Sequence, residues 1–163
     1  MDPLQAFRVI DARLDRGLHH DQLTTLRQRL AGELLGSPDL VDETLGPDFE
    51  LVTHAQGTTA VLDRASAIAA TGRLRSVLVW GVIADLVADE TAIAGHGLLR
   101  TLAGTSLTTM TIAHFARFDG KRMTSEVVYL DAPSRATVAD DVGLPPREQL
   151  RDLLGYRRDR QWS

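Results

Sequence analysis

Residues 105–131, TSLTTMTIAHFARFDGKRMTSEVVYLD, read as two long strands joined at Asp119-Gly120, a dipeptide whose tolerance of positive φ suits a tight hairpin. With side chains alternating along a strand, Met110, Ile112, His114, Ala116 and Phe118 share one face, and Thr109, Thr111, Ala113, Phe115 and Arg117 share the other. A histidine therefore stands in an otherwise apolar row. Past the turn, Met123, Ser125, Val127, Tyr129 and Asp131 alternate with Thr124, Glu126, Val128 and Leu130. Each face of the hairpin mixes apolar groups with a few able to do chemistry, which is the signature of a pocket.

Two further strand-like runs precede this hairpin, Ser76 to Val87 and Thr91 to Leu102, separated by Asp89-Glu90 and Ala103-Gly104. Strands with such short connections form an antiparallel meander, because parallel pairing needs long crossovers. In the first run Leu78, Trp80, Val82, Ala84 and Leu86 oppose Val77, Val79, Gly81, Ile83 and Asp85. Both faces are apolar, so both need a cover. Helices supply one cover, and a second copy of the chain is expected to supply the other, giving a homodimer.

Working outward to the N-terminal side, Phe49, Leu51 and Thr53 alternate with Glu50, Val52 and His54, and Gly57 closes this strand. Before it, Leu23, Leu26, Leu30 and Leu34 recur at helical spacing up to Gly36. Ser37-Pro38-Asp39 starts a short helix through Leu40, Val41 and Leu45, broken by Gly46-Pro47-Asp48. Leu4, Phe7, Ile10 and Leu14 predict an amphipathic helix within residues 1–18, as a packing or dimer-forming extension. His19-His20 then reads as a solvated pair. After Leu62, Asp63 caps a small helix that ends at Gly72. Beyond Asp131, Pro146-Arg147 opens a last short helix carrying Leu150, Leu153 and Leu154.

The 163 residues fit one domain, with a core over about 22–146, the helical extension over 1–18, and a C-terminal helix and tail over 145–163. A hydrophobic content of 44% is enough to bury a core. A net charge of -4 argues against a nucleic-acid partner, whose phosphates demand clustered cations, and Arg157, Arg158 and Arg160 read as a solvated tail. Without cysteine there is neither a disulfide framework nor a thiolate metal site. The opening MDPLQAFRVIDARLDR does not read as a signal peptide, and no run is long and apolar enough for a membrane span, so a cytoplasmic location is expected. Histidine spacing gives no metal motif, and no glycine-rich phosphate loop or nucleophile elbow occurs, so no cofactor is expected.

Helices first, then one small helix among long antiparallel strands, is an α+β order, with helices over one face of a strongly curved sheet. With the Leu-Gly-Ser-Pro-Asp helix turn, Gly46-Pro47-Asp48-Phe49 entering the first strand, His54-Ala55-Gln56-Gly57 leaving it, the hairpin from Phe115 to Lys121, and Tyr129-Leu130-Asp131 followed by Val142-Gly143-Leu144-Pro145, the chain resembles the nuclear transport factor 2-like superfamily. Within it, the SnoaL-like proteins are the nearest in pattern, a group with polyketide cyclases, ketosteroid isomerases and limonene epoxide hydrolases. The likeness spans roughly Leu23 to Pro146.

The resemblance implies a cone with a deep cavity between the helices and the concave face of the sheet. It places His54 where ketosteroid isomerases hold a carboxylate general base, His114 where they hold a protonated acid as oxyanion donor, and Arg29 near the place of their tyrosine donor. Three departures at three positions argue against steroid isomerisation. The substitutions keep a chemical logic, since an imidazole can take a proton at neutral pH, and one set in an apolar row can donate a single N–H. The alternative for each histidine is a structural one hydrogen-bonded to backbone or water. Asp131, with Tyr129, resembles the acid–base aspartate of SnoaL-type cyclases; it also suits a turn-capping role. Glu126 has the opposite parity to Tyr129, so it faces out if Tyr129 faces the cavity.

Trp80, Met110, Ile112, Phe118, Arg29 and His96 complete the expected ligand-binding set, His96 lying between two glycines that allow close approach. The Asp-Arg-Asp set by which limonene epoxide hydrolases activate water cannot be assembled from the strand positions. The expected function is a cofactor-independent isomerase or cyclase moving a proton next to a carbonyl in an apolar pocket. The alternative is a non-catalytic dimeric ligand-binding or accessory module.

Overall fold

The computed structural model describes residues 20–74 and 77–137, without the side chains of residues 20, 78 and 80–83. Both terminal helices expected within 1–18 and 145–163, the tail arginines, His19 and the side chain of Trp80 lie outside the described residues. Helix α1 spans His20–Leu35 and α2 spans Pro38–Asp42. Strands β1 (Leu45–Ala55) and β2 (Thr58–Asp63) lead into α3 (Arg64–Arg73). Then come β3 (Leu78–Ala88), β4 (Ala92–Ala103), β5 (Ser106–Asp119), β6 (Arg122–Leu130) and β7 (Ser134–Thr137).

Local chemistry places the breaks. Gly36 ends α1 at φ 59, and Pro38 follows Ser37 at the start of α2, although the Ser37 side chain makes no capping bond. Asp63 caps α3 by accepting from the Ser66 N–H at 2.8 Å. Gly120 turns the β5–β6 hairpin at φ 57, in the left-handed region where a glycine carries no Cβ penalty.

The sheet runs β2-β1-β6-β5-β4-β3, with β7 added beside β5. It is mixed rather than wholly antiparallel, because β1 and β6 pair in parallel, Leu51 opposite Glu126 and His54 opposite Tyr129. The chain between them contains four more strands and α3, a connection long enough for a parallel crossover. Strands β3, β4 and β5 form the expected meander. β7 follows Pro133 and pairs with the start of β5, an element with no alternating apolar signal because all four of its residues are exposed.

Helix α1 lies over one face of the sheet, and between them sits the core of Leu23, Leu26, Val41, Leu45, Phe49, Phe118 and Met123. Each such side chain contributes roughly 1.5–3 kcal/mol by leaving water. Thr25 fixes the helix to the β5–β6 hairpin by donating to the carbonyl of Lys121 at 2.7 Å. The core gathers at the hairpin end; towards the far end of α1 the two layers leave a cavity.

Candidate functional site

The cavity has a volume of about 310 Å³ and lies between α1 and the inner sheet face. Its walls are aliphatic, among them Leu30 and Leu34 from α1, Leu51 from β1, Ile112 from β5, and Val128 and Leu130 from β6. Strand alternation places Glu126 in the same row as Val128 and Leu130, and His114 in the same row as Ile112, so both polar side chains enter this apolar space. On α1, Arg29 and Glu33 are one turn apart and project towards them.

The four groups form one network. Arg29 Nη2 lies 3.1 Å from Glu33 Oε1 and donates to Glu126 Oε2 at 3.4 Å. The other Glu126 oxygen, Oε1, lies 2.9 Å from His114 Nε2. An ionised carboxylate only accepts, so Nε2 carries the hydrogen and the neutral ring keeps Nδ1 as its basic nitrogen. The Arg29 side chain is 3% exposed and that of Glu126 9%. Burying either alone would cost several kcal/mol; each is tolerated because the other is there.

Two carboxyl groups share one guanidinium and titrate apart. Burial pushes Glu126 up, but Arg29 and His114 outweigh it and bring the pKa down to about 2. Glu33 moves the opposite way: burial raises it, Arg29 opposes, and the Glu126 charge adds to the rise. A site with one carboxylate held ionised and a neighbour biased towards its acid form has distinct base-side and acid-side groups.

The remaining expected site residues fall elsewhere. His54 is on the outer face of β1, where its Nδ1 lies 2.9 Å from Thr59 Oγ1 and its ring stacks on Tyr129, centroids 4.6 Å apart. Tyr129 is 47% exposed on that face, so parity sends Glu126 inward, reversing the orientation expected for both. Asp131 caps the sheet: its Oδ1 accepts from the Thr111 N–H at 2.7 Å. It borders a broad open depression with Gln56 and Arg135. Phe118 belongs to the hairpin-end core rather than to the cavity. Met110 is half-buried opposite Leu99 and is not part of the cavity wall, whereas Ile112 is.

His96 contributes to the wall at its backbone, between Gly95 and Gly97, while its side chain is 55% exposed and sits 3.7 Å from Asp85 on the outer face. Gly95 has a packing reason to lack a side chain, since a Cβ there would stand 3.1 Å from both the Asp85 carbonyl and a Leu86 methyl. Of the expected residues, the structure thus gathers His114, Arg29 and Ile112 around one space, and adds Glu33 and Glu126. Glu126 was legible from its alternation with Tyr129 once the outward face of Tyr129 was known. Glu33 carried no such signal, because an i,i+4 Arg–Glu pair on a helix normally marks a solvated surface. Among the described residues there is no cluster of metal-ligating side chains. No helix there is long and apolar enough to cross a membrane.

No protein-family model matches the sequence, and no curated protein is similar to it in sequence. Solved structures match in fold. An LEH-like epoxide hydrolase of Mycobacterium tuberculosis is 19% identical with a TM-score of 0.59, covering 68% of this chain and 83% of its own. A protein of Catenulispora acidiphila with a ketosteroid isomerase-like fold, solved with trimethylamine, is 18% identical with a TM-score of 0.56, covering 74% of this chain and 93% of its own. IdmH of Streptomyces antibioticus, a proposed polyketide cyclase, is 14% identical with a TM-score of 0.54, covering 65% and 88%. The chain therefore has the ketosteroid isomerase-like, nuclear transport factor 2-like fold, as the sequence resemblance implied.

Proposed function

We propose that the protein binds a small, largely apolar molecule in the cavity under α1 and carries out cofactor-independent acid–base chemistry on it, a proton transfer next to a carbonyl as in isomerisation or aldol cyclisation. The observation that carries this reading is the His114–Glu126–Arg29–Glu33 network opening into an aliphatic space. His114 Nδ1 takes the substrate proton, Glu126 holds the ring in the required tautomer, and Glu33 donates to the oxygen on which charge develops. Arg29 keeps Glu126 ionised throughout. The role expected of the other imidazole is not served by His54, which faces away from this space.

The same network supports a second reading, hydration of an epoxide. Glu33–Arg29–Glu126 is a carboxyl–guanidinium–carboxyl set of the type epoxide hydrolases of this fold use, built here from a helix and a strand. His114 would remove a proton from water while Glu33 protonates the opening ring oxygen. The two reactions separate by product: α-hydrogen exchange with solvent deuterium for a ketone, a diol for an epoxide. In either assay His114→Ala should lower kcat by about 10²–10⁴, and His54→Ala should leave it within about twofold. Turnover lost in His54→Ala and kept in His114→Ala would refute the assignment. Ligand binding with no turnover of either substrate class would make the protein an accessory binding module.

The proposal includes a homodimer formed through the outer sheet face. There Phe115 and Val61 are 50% and 57% exposed, and the Phe115 and Tyr129 rings meet edge-on with centroids 6.3 Å apart.

A further inference from the structure

Resting on the reading of the cavity as a small-molecule site, we infer that it selects by charge: its ligand is an uncharged aliphatic molecule bearing a single oxygen acceptor, and the carboxylate and ammonium counterparts of that molecule are rejected. Apart from the His114 imidazole, the wall's bulk is aliphatic, with no phenyl or indole face for a cation–π seat among the described residues. Its charged groups are confined to the one network; the other polar wall side chains, Thr53 and Thr101, are neutral.

Within the network Arg29 has nothing left to offer an anion. Nη2 is shared between both glutamates, and Nε and Nη1, though without a hydrogen-bond partner, are buried with essentially no accessible surface to present to a ligand. An entering carboxylate would meet the ionised Glu126 and a guanidinium already neutralised. It would have to bind as the neutral acid, so its affinity should fall about tenfold for each pH unit above its own pKa. An ammonium ligand fares no better, because the Glu126 charge is already balanced by Arg29, and the open acceptor, His114 Nδ1, is a neutral nitrogen that does not repay an ion's desolvation. The donor that remains is the Glu33 carboxyl, which burial biases towards its protonated form. It is one donor, and it calls for one acceptor. Arg29, Glu126 and His114 are the charged or titratable groups that face it, from α1, β6 and β5.

Calorimetric titration of the full chain at pH 7 with cyclooctanone, cyclooctanecarboxylate and cyclooctylammonium tests this. The ketone should bind, with both ions at least ~10-fold weaker. Its affinity should fall as pH rises through the range where Glu33 ionises, and Glu33→Gln, which keeps a donor at all pH values, should flatten that profile. Ile112→Trp should block binding by filling the cavity. A carboxylate or ammonium ion bound as tightly as the ketone would overturn the charge selection while leaving the cavity a small-molecule site, and a wild-type profile as flat as that of Glu33→Gln would remove Glu33 as the donor. If none of the three probes binds, or Ile112→Trp leaves binding unchanged, both this inference and the cavity-binding reading fall.

Discussion

At the scale of single residues, the molecule turns on a buried charge that cannot lose its partner. Removing Arg29 as Arg29→Met leaves Glu126 uncompensated among aliphatic side chains, and should cost ~3–5 kcal/mol in urea unfolding. The double variant with Glu126→Gln should recover a large part of that loss, because the orphaned charge is gone. The two carboxyl groups also give opposite pH signatures. Glu126, depressed in the folded state, contributes stability that is full above the ordinary carboxylate range and is lost as pH falls from there towards about 2. Glu33, raised in the folded state, does the reverse: the unfolded chain ionises first, so stability falls as pH rises from the ordinary carboxylate range through the higher folded value. Glu33→Gln should abolish that second decline and leave the acid-side loss in place. These buried groups were the least legible part of the sequence. His114 showed itself as a polar interruption of an apolar row and Arg29 through the family resemblance, whereas Glu33 carried no signal, since only the sheet laid across α1 makes that side of the helix an interior.

At the scale of elements, steric contact decides against intrinsic preference where α1 meets α2. Gly32 sits inside a helix, where alanine would gain about 1 kcal/mol in propensity. Its Cβ, however, would stand 2.7 Å from a methyl of Val41 and 3.2 Å from the Val41 backbone nitrogen. Val41 is β-branched and fully buried, so it has little freedom to yield. Gly32→Ala should therefore lower stability by ~1–3 kcal/mol despite the better helix former, measured by thermal unfolding; a stabilised variant would mean α2 can step aside. Elements of this kind were read well from period and punctuation: α1 ends at Gly36, and the meander of β3, β4 and β5 follows the alternation. Alternation fixes which residues share a face but leaves open which face is inside, and that ambiguity put Tyr129 and His54 in the cavity and Glu126 outside. The parallel pairing of β1 with β6 joins strands far apart in the chain, and β7 has no buried residue to mark it.

At the scale of the whole molecule, the inner and outer faces of the sheet divide the work. The inner face with α1 makes the cavity, and the outer face presents Phe115, Tyr129, Val61 and the His54 ring. If that face joins two copies, Phe115→Glu should shift the mass seen by light scattering from dimer to monomer while leaving ketone binding within about twofold; a wild-type monomer at micromolar concentration would remove the dimer from the account. On the proposed reading, chemistry belongs to the cavity and not to the histidine–tyrosine stack behind it. Proton NMR of the imidazole signals during titration with cyclooctanone tests it most directly, because the chain has only five histidines to assign. The His114 resonances should move with ligand while those of His54 stay fixed; movement of His54 with His114 unaffected would place the chemistry behind the sheet instead.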